Sequence, residues 1–169
     1  MAQDYQHVMH TFEPVFDENS RILILGTFPS VKSRENNFYY GHPQNRFWQV
    51  LAGLTGESVP DTIPEKKIFL LKNHIAIWDV IVECDIAGSS DSSIKNVVPA
   101  DLSRVLQKAP VKQIFANGNK ACELYRKYAM PKVGREIVKL PSTSPANAAF
   151  TLDRLMEQWS KITYYLQEN

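Results

Sequence analysis

A short apolar run, Ile22–Leu25, ends at Gly26 and constrains the fold more than any other feature of this chain. A continuous apolar run of this length predicts a strand that is covered on both faces, as the strands of parallel sheets are. Similar runs lie at 75–80 and 111–116, and a weaker one lies at 136–140. We therefore predict four strands that pair in one parallel sheet.

Segments with helical spacing separate and follow these runs. They lie at 47–54, 64–73, 101–108 and 120–128, and a last segment carries one apolar stripe made of Leu152, Leu155, Met156, Trp159, Ile162 and Leu166. Strands that alternate with helices are typical of βαβ crossovers, which place helices on the faces of a parallel sheet. The predicted fold class is α/β: a three-layer α/β/α sandwich with a central four-stranded parallel sheet.

The chain has 169 residues, of which 44% are hydrophobic and 22% charged, and this predicts one globular domain over 1–169. Residues 1–20 are expected to form an N-terminal extension packed on or beside it. No apolar run approaches the ~20 residues of a membrane span, and the polar first residues lack a signal-peptide pattern. We expect a cytoplasmic monomer without a membrane partner.

The net charge of the chain is only +1, so the protein has no strong overall electrostatic field that would attract nucleic acid. Any contact with nucleic acid must therefore be local.

Cysteine and histidine give no sign of a metal site. Cys84 and Cys122 belong to no Cys-x-x-Cys motif and are expected to be buried thiols, and the four histidines lack metal-ligand spacing. We expect neither a metal nor an organic cofactor.

Three loops follow predicted strands, at 27–45, 85–98 and 141–147. Ligands of open parallel sheets collect outside the carboxyl ends of the strands, so these loops are expected to share one cleft. In the first loop, Gly26 allows a sharp turn and Pro29 stiffens the chain. The aromatic side chains of this loop either stack on an extruded nucleobase or simply pack on the core: Phe28, Tyr39 and Tyr40.

Two asparagines are the strongest candidates for chemistry. Asn45 either caps the helix that follows it or uses its amide oxygen to hold a water that attacks a sugar carbon. Asn117 either forms a turn beside Gly118 or pairs with the N–H and carbonyl of hypoxanthine or uracil. Adenine and cytosine instead present an amino group and an unprotonated ring nitrogen, so deamination creates the matching pattern.

The last loop is rich in hydroxyl groups. Ser142, Thr143 and Ser144 either bind phosphates through hydroxyl and backbone N–H groups, or form a helix-entry loop with Asn147 as the cap. The segment 88–95 has the same phosphate-binding character and the same alternative.

Taken in order, these segments resemble the uracil-DNA glycosylase superfamily, specifically its hypoxanthine-DNA glycosylase (DNA-deoxyinosine glycosylase) branch. The resemblance spans most of the chain from Arg21 and rests on Gly26–Ser30, Tyr39–Pro43 with Asn45–Trp48, Gly88–Ile94, Asn117–Gly118 and Ser142–Asn147. It implies a fold like that of uracil-DNA glycosylase.

The resemblance also implies a hydrolase of base excision repair that flips a deaminated base, chiefly the hypoxanthine of deoxyinosine, out of double-stranded or single-stranded DNA and cuts its N-glycosidic bond. Asn45 is then the catalytic residue. The base is bound by Phe28, Tyr40 and Asn117; the pocket loop contains Gly26, Thr27, Pro29, Ser30 and His42; and the DNA is contacted by Ser142, Thr143, Ser144 and Asn147.

One departure from the superfamily concerns the first motif. Uracil-specific members place Asp or Asn there, where this chain has Thr27 and Phe28, so their water-activating carboxylate has no counterpart in this motif. Candidate bases elsewhere are carboxylates that are otherwise solvated or capping groups: Asp79, Glu83, Asp85 and Asp91. Two alternatives stay open, a uracil or broad-specificity glycosylase and a non-catalytic lesion-binding module of the same fold.

Overall fold

The four predicted strands form the central sheet of the computed structural model, which describes residues 4–167. The strands of this part of the chain are β1 (Gln6–Met9), β2 (Ile22–Gly26), β3 (Ile75–Asp79), β4 (Ile81–Ile86), β5 (Lys95–Pro99), β6 (Gln113–Asn117) and β7 (Ile137–Leu140). The central sheet has the order β3-β2-β6-β7, and its neighbours are all parallel. Every residue of β2 and β3 is buried, so both faces of the sheet are covered there.

The helices are α1 (Val31–Asn36), α2 (Phe47–Thr55), α3 (Ile63–Lys72), α4 (Ser103–Leu106), α5 (Asn119–Leu124), α6 (Met130–Val133), α7 (Leu152–Trp159) and α8 (Lys161–Leu166). Helices α3, α5 and α8 pack against strands of the parallel sheet, and α2 packs against α7. The predicted α/β class with a four-stranded parallel sheet is therefore confirmed.

Helix boundaries differ from the predictions in three places. The segment predicted as a helix over 101–108 contains only the single turn of α4. The helix predicted over 120–128 starts as α5 and continues through a π-helical turn, Tyr125–Ala129, into α6. The C-terminal stripe is divided at Ser160 into α7 and α8. Three of its six side chains are fully buried, namely Leu155, Trp159 and Ile162, and the other three are partly buried against the core.

A second, antiparallel sheet was not predicted. It contains three strands in the order β1-β4-β5. The prediction of a loop over 85–98 is therefore wrong in part, because the ends of this segment belong to β4 and β5. β4 mixes buried with partly exposed residues, so it lacks the continuous apolar run that identifies a parallel strand. The predicted loop 27–45 likewise contains the short helix α1.

The N-terminal extension supplies an edge strand and core side chains. β1 pairs with β4, Val15 forms an isolated bridge with Ile77 of the parallel sheet, and Phe12 is buried in the same core. Residues 1–3 and 168–169 of the predicted domain lie outside the described residues. No helix in the described part of the chain is long and apolar enough to cross a membrane.

Candidate active site

A cavity of about 410 Å³ opens at the carboxyl ends of the parallel strands. The last residues of β2, β3 and β6 all line it, namely Gly26, Asp79 and Asn117. Its volume lies in the ~300–1,000 Å³ range of small-molecule pockets. Residues from all three predicted loops contribute to its wall, so these loops share one cleft.

Every predicted site residue except Asn147 lines this cavity: Gly26, Thr27, Phe28, Pro29, Ser30, Tyr40, His42, Asn45, Asn117, Ser142, Thr143 and Ser144. Asn147 lines a neighbouring groove that shares Asp91, Ser142, Ser144 and Ala146 with the cavity. The fold therefore brings the predicted catalytic and base-binding side chains to one place, and their roles remain predictions.

One buried hydroxyl joins the two candidate amides. Thr143 has no exposed surface; its Oγ1 donates to Asn45 Oδ1 at 2.8 Å and accepts from Asn117 Nδ2 at 3.0 Å. The backbone N–H of Thr143 also donates to Asn117 Oδ1 at 3.0 Å. These bonds fix the direction in which the Asn117 amide faces and hold both asparagines in one network.

This network corrects the prediction that Thr143 contacts DNA phosphates. The Thr143 side chain is fully buried, and its hydroxyl already donates one hydrogen bond and accepts another. It therefore has neither the surface nor a free proton for a phosphate oxygen. The Thr143 hydroxyl instead forms hydrogen bonds with the side chains of both asparagines.

The amide oxygen of Asn45 is also occupied. Besides the Thr143 hydroxyl, Asn45 Oδ1 accepts from the backbone N–H of Phe47 at 3.0 Å, at the start of α2. Asn45 is nevertheless not the N-cap of α2, which is Arg46 and has no side-chain cap bond; the Asn45 oxygen instead satisfies the first backbone N–H of the helix in an Asx turn. An amide oxygen with two donors has no free lone pair, so a ligand in the cavity is left with the N–H groups of Asn45 Nδ2.

Tyr40 forms an aromatic wall held in an uncommon backbone conformation. Its φ is 51°, in the left-handed region that bulky residues rarely adopt, and its ring stacks on Phe47 with centroids 3.9 Å apart. The Tyr40 hydroxyl is buried and has no partner in good hydrogen-bonding geometry among residues 4–167. Burial, and then the nearby charge of Asp79, raise the pKa of Tyr40 well above its ordinary value, so the hydroxyl keeps its proton as a donor.

The four candidate carboxylates separate into two groups. Asp79 and Asp91 line the cavity, whereas Glu83 and Asp85 both bind the exposed imidazole of His7 on the second sheet. Asp79 is only 4% exposed, while Asp91 stands at the cavity mouth with an exposed surface. Among residues 4–167, no group of three His, Cys, Asp or Glu side chains is placed to hold a metal ion.

Asp91 has an altered acidity. Desolvation by the surrounding cleft raises the pKa of Asp91 to about 6, and the like charge of Asp79 acts in the same direction. Lys120 partly opposes this rise. Asp91 therefore changes its charge just below neutral pH.

Arg46 is a site residue that the sequence analysis missed. Its guanidinium donates to the backbone carbonyls of Ser144, Asn147 and Phe150, and its backbone N–H donates to the carbonyl of Thr143 at 3.1 Å. These contacts hold the last loop against the start of α2. The only signal in the sequence is the position of Arg46 directly after Asn45.

The remaining polar residues of the last loop lie at the cavity mouth. Ser142 Oγ accepts from the backbone N–H of Ser144 at 3.1 Å, and Asn147 Nδ2 donates to the Ser142 carbonyl at 3.0 Å. Asn147 does not cap α7, because the capping oxygen is the hydroxyl of Thr151. The partly exposed serines are thus the hydroxyl groups that this loop offers to a ligand.

Two pocket-loop side chains have local structural bonds. The Ser30 hydroxyl caps α1 by accepting from the backbone N–H of Ser33 at 3.2 Å. His42 Nδ1 accepts from the backbone N–H of Gln44 at 3.1 Å, which places the proton of the neutral ring on Nε2.

Three comparisons relate the chain to known proteins. The family model described as the uracil DNA glycosylase superfamily matches residues 13–165. A hypoxanthine DNA glycosylase of Methanosarcina acetivorans is 39% identical over 153 residues, which are 89% of this chain and 95% of that protein. A hypoxanthine DNA glycosylase of Methanosarcina barkeri is 36% identical over 138 residues, which are 80% of this chain and 86% of that protein.

A solved structure agrees with these relatives. The solution NMR structure of a Methanosarcina acetivorans protein, provisionally assigned as a uracil DNA glycosylase, superposes with a TM-score of 0.77 at 38% identity. The match covers 93% of this chain and 97% of that chain. The resemblance drawn from the sequence motifs is therefore confirmed.

Proposed function

The chain belongs to the uracil DNA glycosylase superfamily, and from this membership we propose that it is a DNA glycosylase acting on hypoxanthine. The reaction is hydrolysis of the N-glycosidic bond of deoxyinosine in DNA. Its products are free hypoxanthine and an abasic site, so the protein serves the repair of deaminated bases.

The observation that carries this proposal is the meeting of Asn45, Asn117 and Phe28 in one cavity at the strand ends. A base stacked inside a duplex cannot reach such a recess, so the target nucleotide is flipped out of the helix. Phe28 and Tyr40 supply flat faces on which the base stacks, and Phe47 supports the Tyr40 ring from behind.

Catalysis in this arrangement rests on orientation and on stabilisation of charge. As the bond from C1′ to N9 breaks, its electron pair goes to the base; the water oxygen then bonds to C1′, and a water proton ends on the base. The N–H groups of Asn45 Nδ2 orient the water, and the second N–H of Asn117 Nδ2 stabilises negative charge on the departing base. The phosphates of the DNA stabilise the sugar cation.

DNA binding is assigned to the cavity mouth. With a net charge of only +1, the chain has no field that attracts DNA as a whole. The partly exposed hydroxyls of Ser142 and Ser144, with Asn147 in the adjoining groove, are the groups placed to meet the backbone beside a flipped nucleotide.

Base release from a duplex that carries one deoxyinosine tests the proposal. Strands should break after hot alkali but stay intact before it, because a monofunctional glycosylase leaves an abasic site. Intact strands after alkali would reject the activity. Release that is faster from a uracil duplex would indicate a uracil glycosylase, and tight binding of the inosine duplex without release would indicate a lesion-binding module.

Asn45→Asp is the matched variant for the catalytic assignment. A carboxylate keeps an acceptor for Phe47 N–H and the Thr143 hydroxyl, but it has no N–H donors. We expect base release to slow by about 10²-fold or more, with a melting temperature near that of the wild type. Full activity of this variant would show that the N–H groups of Asn45 are not required, and would leave Asn45 with only its structural bond to the start of α2.

A further inference from the structure

The buried carboxylate of Asp79 has no role in the mechanism given above. Asp79 ends β3, and its register partner on β2 is Gly26, so both lie at the floor of the cavity. Only 4% of Asp79 is exposed. A carboxylate that is this deeply buried needs partners or a function, because its desolvation is costly.

Gly26 provides the space that Asp79 occupies. A Cβ atom on Gly26 would collide with Asp79 Oδ1 and would lie 3.0 Å from the Tyr40 hydroxyl oxygen. The absence of a side chain at Gly26 therefore lets two polar oxygens, one from Asp79 and one from Tyr40, lie over the end of β2. Both residues line the cavity.

His10 holds the other oxygen of this carboxylate. His10 Nε2 donates to Asp79 Oδ2 at 2.8 Å, and the two side chains are only 2% and 5% exposed. The imidazole lies among aromatic rings, with centroid distances of 4.4 Å to Phe12 and 5.8 Å to Tyr39. His10 Nδ1 is buried without a partner, so the other tautomer would leave an unpaired N–H there.

Because His10 binds Oδ2 and Asp79 lines the cavity, Oδ1 is the oxygen that Asp79 can offer to a ligand as a hydrogen-bond acceptor. A carboxylate oxygen accepts hydrogen bonds and donates none. Deamination of adenine changes N1 from an acceptor into an N–H donor, so an acceptor at this position favours hypoxanthine and repels adenine.

We infer that Asp79 is a specificity-determining residue that accepts the ring N–H created by deamination, and that His10 is the positioning residue that aims it. This inference rests on the proposed function, and it assigns the recognition of the hypoxanthine N1–H group to Asp79. It also gives the N-terminal extension a part in the site, because His10 follows β1 directly.

The test measures binding rather than cleavage. Two duplexes carry either 2′-fluoro-deoxyinosine or 2′-fluoro-deoxyadenosine, which resist hydrolysis, in the same sequence. The quantity compared is the ratio of the two dissociation constants for each variant. The cost of opening each duplex is the same for all variants, so it cancels when the ratios are compared.

The key variant is Asp79→Asn. Because His10 Nε2–H needs an acceptor, the new amide turns its oxygen to His10 and its N–H groups into the cavity. The preference for inosine over adenosine should fall on the order of 10- to 150-fold, as for one hydrogen bond to a charged group. Adding His10→Phe frees the amide to turn its oxygen inward, so the double variant should regain part of the preference.

Controls separate this inference from other outcomes. A duplex with a tetrahydrofuran abasic analogue has no base to read, so its affinity should change less than about threefold in all variants. If Asp79→Asn slows cleavage of natural deoxyinosine but leaves the ratio unchanged, Asp79 acts on the water and the inference is overturned. If the wild type releases no hypoxanthine at all, the proposed function fails instead.

Discussion

The Thr143 hydroxyl determines which hydrogen-bonding groups of Asn45 and Asn117 remain available to a ligand. By donating to Asn45 and accepting from Asn117, it occupies one oxygen and one N–H of the pair. What remains facing the cavity is mainly N–H groups, which suit a site that stabilises growing negative charge. We therefore propose that Thr143 positions the two amides and does not contact DNA.

Replacing Thr143 tests this arrangement. Thr143→Val keeps the shape of the side chain but leaves Asn45 and Asn117 without their common partner, so base release should slow by roughly 10- to 100-fold. Thr143→Ser is the matched control, since it keeps the hydroxyl and should retain most of the activity. Single-turnover rates on a deoxyinosine duplex measure both. Equal rates for the valine and serine variants would show that the hydroxyl does not position the amides.

Asp91 predicts a pH dependence of DNA binding. Above its raised pKa of about 6 the carboxylate is charged and repels phosphates at the cavity mouth; below this pH it is neutral and the repulsion is lost. Binding of an abasic-analogue duplex should therefore tighten as the pH falls through about 6. Asp91→Asn should bind about 2- to 5-fold more tightly than the wild type at neutral pH.

The same variant serves as the control for this titration. Asp91→Asn should follow a flatter curve of dissociation constant against pH, because other groups that titrate in this range remain. If the wild type and the variant show parallel curves, Asp91 is not the group that titrates near the DNA.

The loop between β7 and α7 has no regular structure of its own, and Arg46 determines its shape. Three backbone carbonyls of this loop accept from one guanidinium. A loop carbonyl without a partner would be destabilising where it is shielded from water, and the planar fork of Arg serves several acceptors at once. The loop therefore keeps Thr143 buried and Ser142 and Ser144 at the mouth.

Arg46→Lys should loosen this loop. A lysine ammonium cannot reproduce the fork, so we expect a loss of about 1–3 kcal/mol in the free energy of unfolding, and faster amide hydrogen exchange over 142–150. Arg126, which is exposed on the π-helical turn, provides the matched control, since Arg126→Lys should change neither quantity. Unchanged exchange in the Arg46 variant would mean that the loop is held by other contacts.

The two sheets are closely linked in the folded molecule. Only Val80 separates the end of β3 in the parallel sheet from the start of β4 in the antiparallel sheet. The N-terminal segment adds the bridge between Val15 and Ile77, and buried residues of both sheets belong to one hydrophobic core. We therefore propose that the chain is a single domain that unfolds as one unit.

Coincident unfolding curves test the single domain. Tryptophan fluorescence reports on Trp78 in the parallel sheet and on Trp48 and Trp159 in the helices, while far-UV circular dichroism reports on all secondary structure. Both signals should follow one denaturant transition with the same midpoint. Two separate midpoints would show that the antiparallel sheet or the N-terminal segment unfolds independently.

The sequence by itself determined the parallel sheet and most of the site. Strands that are buried on both faces require continuous apolar runs, and such runs identify β2 and β3 without any knowledge of their neighbours. The loops that follow parallel strands meet at one edge, so the strand ends already predicted a common cleft for Asn45, Asn117 and Phe28. Local patterns were sufficient for these predictions.

Only the tertiary structure decided the partners of each polar group. Asn45 and Thr143 are 98 residues apart, and His10 and Asp79 are 69 apart, so no local pattern relates them. The antiparallel sheet was not predicted for a similar reason. The formation of a strand that is only partly buried depends on its pairing partners, and such a strand has no continuous apolar run in the sequence. A hydrogen bond is set by the position of both groups, and the sequence alone gives the chemistry of each one separately.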